Sequence, residues 1–360
     1  MREPADIEAR LQKLIIPASL SIAAAMEAMD RAGFGILLIC GAERRLEGVL
    51  TDGDIRKAIL RGDALDQPCG DIASRSPIIA TDPVSPAEAL DLMDNSRSYF
   101  VNQLPVLNAG GQVVDLVLRS DLIKVDHIPM SAVVMAGGEG TRLRPLTDSL
   151  PKPMLPVGDR PLLEIIIQRL RAAGIQNVNV TTHYKSEKIA DYFGDGQKYG
   201  VDIRYINEET PLGTAGGLSL IETPKEPLLV INGDILTRVD FRAMLSFHRQ
   251  HDAALTIGVR AYNFQVPYGV IECDGPDVRG VREKPVYSFF VNAGVYLLEP
   301  DAHQMIPSGQ HFDMTDLMDA LLKQGKRVVS FPIVEYWQDI GQHTDYEQVQ
   351  RDVQDGRVNP

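Results

Sequence analysis

The string GVLTDGDI at 48–55 returns in altered form as DLVLRSDL at 115–122, an offset of 67 residues (48 to 115). The apolar stretches LLIC (37–40) and LPVL (104–107) keep the same offset. Upstream, SIAAAMEAM (21–29) pairs with SPAEALDLM (85–93) at an offset of 64 residues (21 to 85), so the two units differ by a small insertion or deletion. A repeated unit of this size must fold twice and stack, because one copy alone cannot bury its own apolar face. Each copy reads as a short helix, two strands and a helix, and the pair fills about the first 125 residues. A chain of 360 residues then has room for a second domain, since domains usually run to about 100–200 residues. The expected division is a tandem module over 1–126 and a second domain over 127–360.

After the joint VDHIPM (125–130) the pattern changes. SAVVMAGG reads as a buried strand of small and branched residues running into a glycine loop. Apolar-periodic stretches then alternate with β-rich ones: helix 161–173, strand 177–181, helix 186–193, strands 201–206 and 228–232, helix 240–250 and strand 254–260. This alternation predicts an α/β domain with a mostly parallel sheet covered on both faces by helices. Ligands in such sheets bind beyond the carboxyl ends of the strands. The glycine loop at 137–140 and the NGD at 232–234 both stand at such ends, so they are expected to meet in one crevice.

Charge narrows the partners. Against 36 basic residues stand 49 acidic ones, a net charge of -13, which repels nucleic acid and anionic lipid surfaces at long range. Neither a nucleic acid nor a membrane is an expected partner, and an anionic small substrate requires a local basic pocket. Cys40, Cys69 and Cys273 lie far apart without CxxC spacing, so neither a disulfide framework nor a zinc site is implied. The first ten residues, MREPADIEAR, hold no apolar signal-peptide core, and no run reaches the ~18 apolar residues of a membrane span. The expected location is the reducing cytoplasm.

The most informative segment is AGGEGTRLRPLTDSLPKPMLPVGDRPLLE (136–164). It is not a dinucleotide fingerprint, which needs glycine at Leu143, and no GK[ST] follows to make a Walker A loop. What remains is Gly137, Gly138 and Gly140, which let backbone N–H groups approach an anion, followed by Arg142, Arg144 and Lys152. A triphosphate is the natural occupant. Pro145, Pro151, Pro153 and Pro156 stiffen the segment and so fix where its cations point. Two aspartates, Asp234 in LLVINGD and Asp339 in YWQDIG, each follow a strand. Such an acid alone is more often a helix cap than a ligand, although one or two carboxylates plus substrate phosphates also suit Mg²⁺. No Ser-His-Asp or Cys-His grouping stands out for covalent catalysis.

Two resemblances extend this reading. The N-terminal repeat resembles a tandem pair of CBS domains over about residues 10–125. The resemblance implies an adenine or guanine nucleotide in the cleft, contacted by the T-x-x-D turn. Thr51 and Asp54 match that turn in the first unit and Asp121 matches its acid in the second, where Leu118 replaces the threonine and removes a hydroxyl. Paired CBS modules also imply a homo-oligomer. A purely structural or dimerising module is the alternative.

The remainder, about 131–347, resembles the sugar-1-phosphate nucleotidyltransferases, whose signature GxGTRxxPxT…PKPM is carried here by residues 138–154. That resemblance implies a Rossmann-like fold in which Gly137, Gly138, Gly140 and Thr141 wrap a nucleoside triphosphate. Arg142 would bind the outgoing pyrophosphate portion, Lys152 would hold phosphate oxygens, and Asp234 and Asp339 would bind Mg²⁺. The turn NEETPLGTAGGLSL (207–220) would line base and sugar at Gly213 and Thr214, and its LGTAG spelling is closer to the guanylyltransferases, implying GTP. Glu283 would accept hydrogen bonds from sugar hydroxyls, Lys284 would bind the sugar phosphate, and Asn292 would reach a ring substituent. His183 would flank the sugar without acid–base work. The strings YKSEKIADYFGDG, FQVPYGVI and FFVNAGVY resemble those of glucosamine-1-phosphate guanylyltransferases of legionaminic acid biosynthesis. Mannose 1-phosphate is the alternative acceptor. A rival of another class is a nucleotide sensor whose second domain is no longer catalytic.

Overall fold

The computed structural model describes residues 4–94, 101–122 and 128–358. The joint at 125–127 and the expected boundary between 126 and 127 lie outside the described residues.

The first repeat unit follows α1 (Pro4–Leu14) and comprises β1 (Ile15–Ile16), α2 (Ile22–Ala32), β2 (Ile36–Cys40), β3 (Leu46–Thr51) and α3 (Asp52–Arg61). The second comprises β4 (Ala80–Thr81), α4 (Pro86–Asp94), β5 (Gln103–Leu107), β6 (Val113–Leu118) and α5 (Arg119–Leu122). Both have one topology: a two-residue leading strand parallel to the middle strand, which pairs antiparallel with the third. The leading strands are too short to leave a period in the sequence. Ser21 opens α2 by accepting a hydrogen bond from the Ala24 N–H at 3.2 Å, and Gly33, at φ +75°, closes it, a position where a side chain would be strained. All five residues of β2 are buried. They pack with Leu11, Leu14, Ile22, Leu50 and Ile55, and with Val113 and Leu116 of the second unit. The second unit's own cluster is small: Ala80, Ala89, Met93, Leu104 and Val106.

The larger half runs β7 (Ser131–Met135), β8 (Pro156–Val157), β9 (Arg160–Pro161), α6 (Leu162–Ala173), β10 (Asn177–Thr182), α7 (Ser186–Phe193), β11 (Asp202–Asn207), α8 (Gly213–Gly216), β12 (Leu228–Asn232), β13 (Ile235–Thr237) and α9 (Phe241–Gln250). It continues with β14 (Leu255–Gln265), β15 (Val270–Asp274), β16 (Asp277–Arg282), β17 (Val286–Leu298), α10 (Pro300–His303), α11 (Met314–Lys323), β18 (Val328–Pro332), β19 (Trp337–Asp339) and α12 (His343–Gln354). Seven strands form the central sheet in the order β11-β10-β7-β12-β17-β14-β18, parallel except where β17 runs against its two neighbours. Along β7, Ala132 and Val134 join one core and Val133 the other. The strand is covered on both faces, which is why it reads as an unbroken apolar run without alternation.

The strand expected over 254–260 continues to Gln265, because its outer half pairs with β17 beyond the core. There Tyr262, Phe264, Phe289 and Phe290 are exposed. With the hairpin β15–β16 this pair forms an arm, and an arm held by strand pairing needs no apolar periodicity to betray it. Cys273 lies exposed on that hairpin, whereas Cys40 and Cys69 are buried in the core cluster around the first repeat unit.

The two halves are locked by Arg56 of α3, which is 2% exposed. Its Nη2 pairs with Asp52 at 2.9 Å and Glu335 at 2.8 Å, its Nη1 donates to the Pro332 carbonyl, and its guanidinium covers the Phe331 ring at 4.0 Å. Nearby, Arg238 pairs with Asp30. Among the described residues no helix is long and apolar enough to cross a membrane.

Candidate active site

The crevice is built by two strand ends that the sheet makes neighbours. β7 and β12 run parallel with Met135 opposite Asn232, so the glycine loop and the NGD turn leave the sheet side by side. Gly233 donates its N–H to the Met135 carbonyl at 2.8 Å, and a Cβ there would come within 2.7 Å of that oxygen. Only glycine permits so close an approach. At Gly140, φ is +65° and a Cβ would meet Thr147 Cγ2 at 2.9 Å and Lys152 Cβ at 3.0 Å. The loop is thus pressed against the segment that carries Lys152.

Lys152 is 9% exposed, and its Nζ pairs with Asp234 Oδ2 at 2.5 Å. The other oxygen, Asp234 Oδ1, is buried without a hydrogen-bond partner. Asp339 reaches the same place by a different route. β13 pairs antiparallel with β19, setting Ile235 opposite Asp339, and the Ile340 N–H donates to the Asp234 carbonyl at 3.0 Å. Burial and the Asp234 charge push the Asp339 carboxyl above its usual range, opposed by the cations of Lys152 and Arg142. Arg142 itself is exposed on the short turn Thr141–Leu143. The structure therefore brings together Arg142, Lys152, Asp234 and Asp339 around the foot of the glycine loop.

This set fits a hard divalent cation. A carboxylate oxygen buried without a donor is costly in the absence of a positive partner, and a second carboxylate stands on the adjoining strand. Among the described residues no cluster of three or more His, Cys, Asp or Glu side chains could hold a metal. Phosphate oxygens and water must complete such a site, which is how Mg²⁺ is usually held beside a nucleotide.

Other expected residues fall elsewhere. The Thr214 N–H and hydroxyl both donate to Asp313 Oδ1, at 2.8 and 3.0 Å, and the Thr214 hydroxyl accepts from the Met314 N–H at 2.9 Å. Gly213, at φ +83°, packs against the same segment. The glycine turn is thereby tied to the start of α11, with the Thr214 hydroxyl already engaged. Glu283 and Lys284 lie exposed on the arm between β16 and β17 and make no ion pair among the described residues. Asn292, on β17, accepts from the Gly294 N–H at 3.0 Å, and Gly294 packs against Asn232 of the NGD turn.

Sequence reasoning missed Glu208. It is 6% exposed, accepts from the Leu212 N–H at 3.1 Å, and would stand 2.7 Å from a Cβ at Gly217 and 3.5 Å from one at Gly137. It therefore props the glycine turn against the glycine loop, while His183 Nδ1 bonds to its backbone carbonyl at 2.7 Å. One acid at the end of a strand carries no local signal of such a role.

In the repeat, Thr51 and Asp54 engage each other. Thr51 Oγ1 accepts from the Asp54 N–H at 3.2 Å and donates to Asp54 Oδ2 at 2.7 Å, and the Thr51 N–H returns to the same carboxylate at 3.0 Å. This is a capping box at the start of α3. Asp121 repeats half of it, accepting from the Leu118 N–H at 3.0 Å.

Comparison with known proteins agrees with both halves. A family model described as nucleotidyl transferase matches residues 131–356, and CBS domain models match 6–61 and 69–128. The chain is 35% identical over 226 residues to a mannose-1-phosphate guanylyltransferase of Mycobacterium tuberculosis, covering 60% of this chain and 62% of that protein. It is 34% identical over 245 residues to a UTP–glucose-1-phosphate uridylyltransferase of Synechocystis, covering 62% and 63%. The chain thus spans less than two thirds of the length of these curated relatives. A solved structure from Bacillus anthracis, provisionally named a glucose-1-phosphate thymidylyltransferase, superposes with a TM-score of 0.52 at 24% identity, covering 64% of this chain and 97% of that one. That likeness is one of fold.

Proposed function

Since the chain belongs to the nucleotidyl transferase family, we propose that it transfers the nucleotidyl group of a nucleoside triphosphate to a sugar 1-phosphate, releasing pyrophosphate. The same proposal takes residues 127–360 as the catalytic domain and 1–126 as its CBS module. The observation that carries it is the Lys152–Asp234 pair, with Asp234 Oδ1 unpartnered and Asp339 on the neighbouring strand.

The chemistry asks the protein for alignment and charge neutralisation more than for a covalent catalyst. The backbone of Gly137–Gly140 is free to lie against the triphosphate, and Arg142 and Lys152 offset its charge. Asp234 and Asp339 would hold Mg²⁺, which when bound supplies charge stabilisation at the reacting phosphates. The attacking oxygen belongs to a sugar phosphate already ionised at neutral pH, so no side chain need remove a proton. Glu283, Lys284 and Asn292 are the proposed sugar-phosphate contacts; the first two belong to the arm and must approach the crevice to act.

The nucleotide is GTP and the acceptor glucosamine 1-phosphate, in keeping with the LGTAG turn and the FQVPYGVI and FFVNAGVY strings, and a role in legionaminic acid or other surface-glycan synthesis follows from that acceptor. Mannose 1-phosphate is the second acceptor, favoured by the name of the Mycobacterium tuberculosis relative. A cytoplasmic location suits the triphosphate substrate. The deciding measurement is pyrophosphate release with GTP, UTP, dTTP, CTP and ATP in competition, against each sugar phosphate in turn. A GDP-sugar as main product is expected. A UDP- or dTDP-sugar would refute the choice of base, and no release with any pair would leave the nucleotide sensor as the better reading.

A further inference from the structure

Between the two halves of the chain lies a cavity of about 440 Å³, none of whose lining residues belongs to the crevice, a volume within the range of small-molecule sites. One wall comes from the repeat: Met26, Met29, the Gly33–Gly35 turn and Arg119. The other comes from the larger half: Arg169 and Ala172 of α6, Arg238, and Arg242 of α9. Among the described residues five buried side-chain polar atoms lack a hydrogen-bond partner, and three of them are Arg119 Nη1, Arg169 Nε and Arg238 Nε. All three belong to this one cavity.

The acids that line it do not answer this need, because each is committed. Asp52 and Glu335 clamp Arg56. Asp30 pairs with Arg238 through one oxygen and accepts from the Tyr336 N–H at 3.4 Å through the other. Asp240 caps α9, accepting from the Arg242 and Ala243 N–H groups at 2.8 and 3.0 Å. On the cationic side, Arg119 uses Nη2 on Asp94 at 2.6 Å, and Arg242 gives Nε to the Ala173 carbonyl at 2.7 Å. Arg169 has no hydrogen bond or ion pair among the described residues. Burial, followed by the charge of Arg238, brings its pKa down to about 10, partly opposed by Asp30. A guanidinium held in that state is ready for an acceptor rather than content with its surroundings. Guanidinium forks match phosphate oxygens with two parallel hydrogen bonds.

We propose that this interdomain cavity binds a phosphorylated small molecule of nucleotide size, whose phosphate is held by Arg169 and Arg238 of the larger half together with Arg119 of the repeat. The Thr51 and Asp54 side chains, closed on each other as a cap, do not line this cavity. Because the site needs side chains from both halves, its ligand binds the docked arrangement and favours it over any other.

The test is calorimetric titration of the full-length chain with AMP, GMP and inorganic pyrophosphate, in parallel with Lys152→Met, which weakens the crevice and leaves the cavity intact. AMP or GMP is expected to bind the Lys152→Met chain at one per chain, and adding Arg169→Gln should weaken that binding tenfold or more. Arg169 has no partner to lose, so the unliganded Arg169→Gln chain should melt at or above the parent temperature. The rise in melting temperature that ligand brings to the parent should be absent from it. The proposal is overturned if none of the three probes binds Lys152→Met at millimolar concentration, if Arg169→Gln leaves the affinity unchanged, or if Arg169→Gln alone lowers the melting temperature.

Discussion

At the foot of the glycine loop a buried carboxylate oxygen, Asp234 Oδ1, meets no donor; between the two halves of the chain, three buried guanidinium nitrogens meet no acceptor. The crevice is short of a cation and the interdomain cavity is short of an anion. They also differ in how they are held. The crevice rests on the largely buried strands β7, β12 and β13, the last of them paired with the more exposed β19. The cavity exists only while one half is docked on the other. A site built on one sheet persists whatever the module does, whereas a site shared between two bodies is lost when they part.

The harshest way to break this contrast is to part them. Arg56→Met leaves Asp52 and Glu335 buried against each other without their cation, and removing one member of a buried ion-paired group costs about 3–5 kcal/mol. Thermal unfolding of the variant should show the first transition shifted down by many degrees and the stabilisation by AMP or GMP lost, with pyrophosphate release from the crevice still detectable. Simultaneous loss of catalysis and docking would mean that the two sites are one unit. Next in size, Asp234→Asn and Asp339→Asn should each reduce turnover by on the order of 10²–10³-fold, because a neutral amide is a poorer ligand for a hard cation. Near-parental rates for both at saturating Mg²⁺, with unchanged circular dichroism, would remove the cation from the account.

A smaller effect separates cap from ligand. Thr51→Ala removes the capping box of α3 and should lower stability by about 1 kcal/mol, read by denaturant titration, while leaving nucleotide affinity at the cavity within twofold. A large affinity loss would return Thr51 to the ligand. The smallest concerns a buried group outside both sites. His248 bonds to Thr256 Oγ1 at 2.7 Å and to Glu299 at 3.0 Å, and burial lowers its pKa against the partial opposition of Glu299. The unfolded chain therefore takes up a proton near pH ~6.5 before the folded chain does, so stability present above that pH is lost as pH falls below it. His248→Gln should flatten the stability-versus-pH curve between pH 7 and 5.5 by a few tenths of a kcal/mol; an unchanged slope would show that His248 does not titrate there.

The crevice was more legible than the cavity, for a physical reason. Glycine loops, strand ends and basic residues at loop spacing are local signals, and the helices Leu162–Ala173 and Phe241–Gln250 and the strand Leu228–Asn232 stand where apolar periodicity set them. What brings Asp339 beside Asp234 is the antiparallel pair β13–β19, a contact between distant segments that no window of sequence contains. Arg169, Arg238 and Arg242 sit on three elements that each read as ordinary helix or turn with a solvated charge. Their convergence comes from α6 packing against α9 within the larger half, a contact between distant segments, and the repeat closes the opposite wall over them. Thr51 and Asp54 carry the reverse lesson, since a motif that spells a ligand turn also spells a helix cap, and here the two side chains bond to each other.

The cysteines give the arm a chemical use. Cys40 and Cys69 are buried, and burial pushes the Cys40 thiol up to about 11 and raises that of Cys69 as well, which keeps both protonated and unreactive. Cys273, on the hairpin of the arm, is the exposed thiol. A maleimide fluorophore will therefore attach to the native chain at a single address, with no engineered cysteine. It would sit on the structure that carries Glu283 and Lys284, where its emission can report whether the arm folds over the crevice when a sugar phosphate arrives.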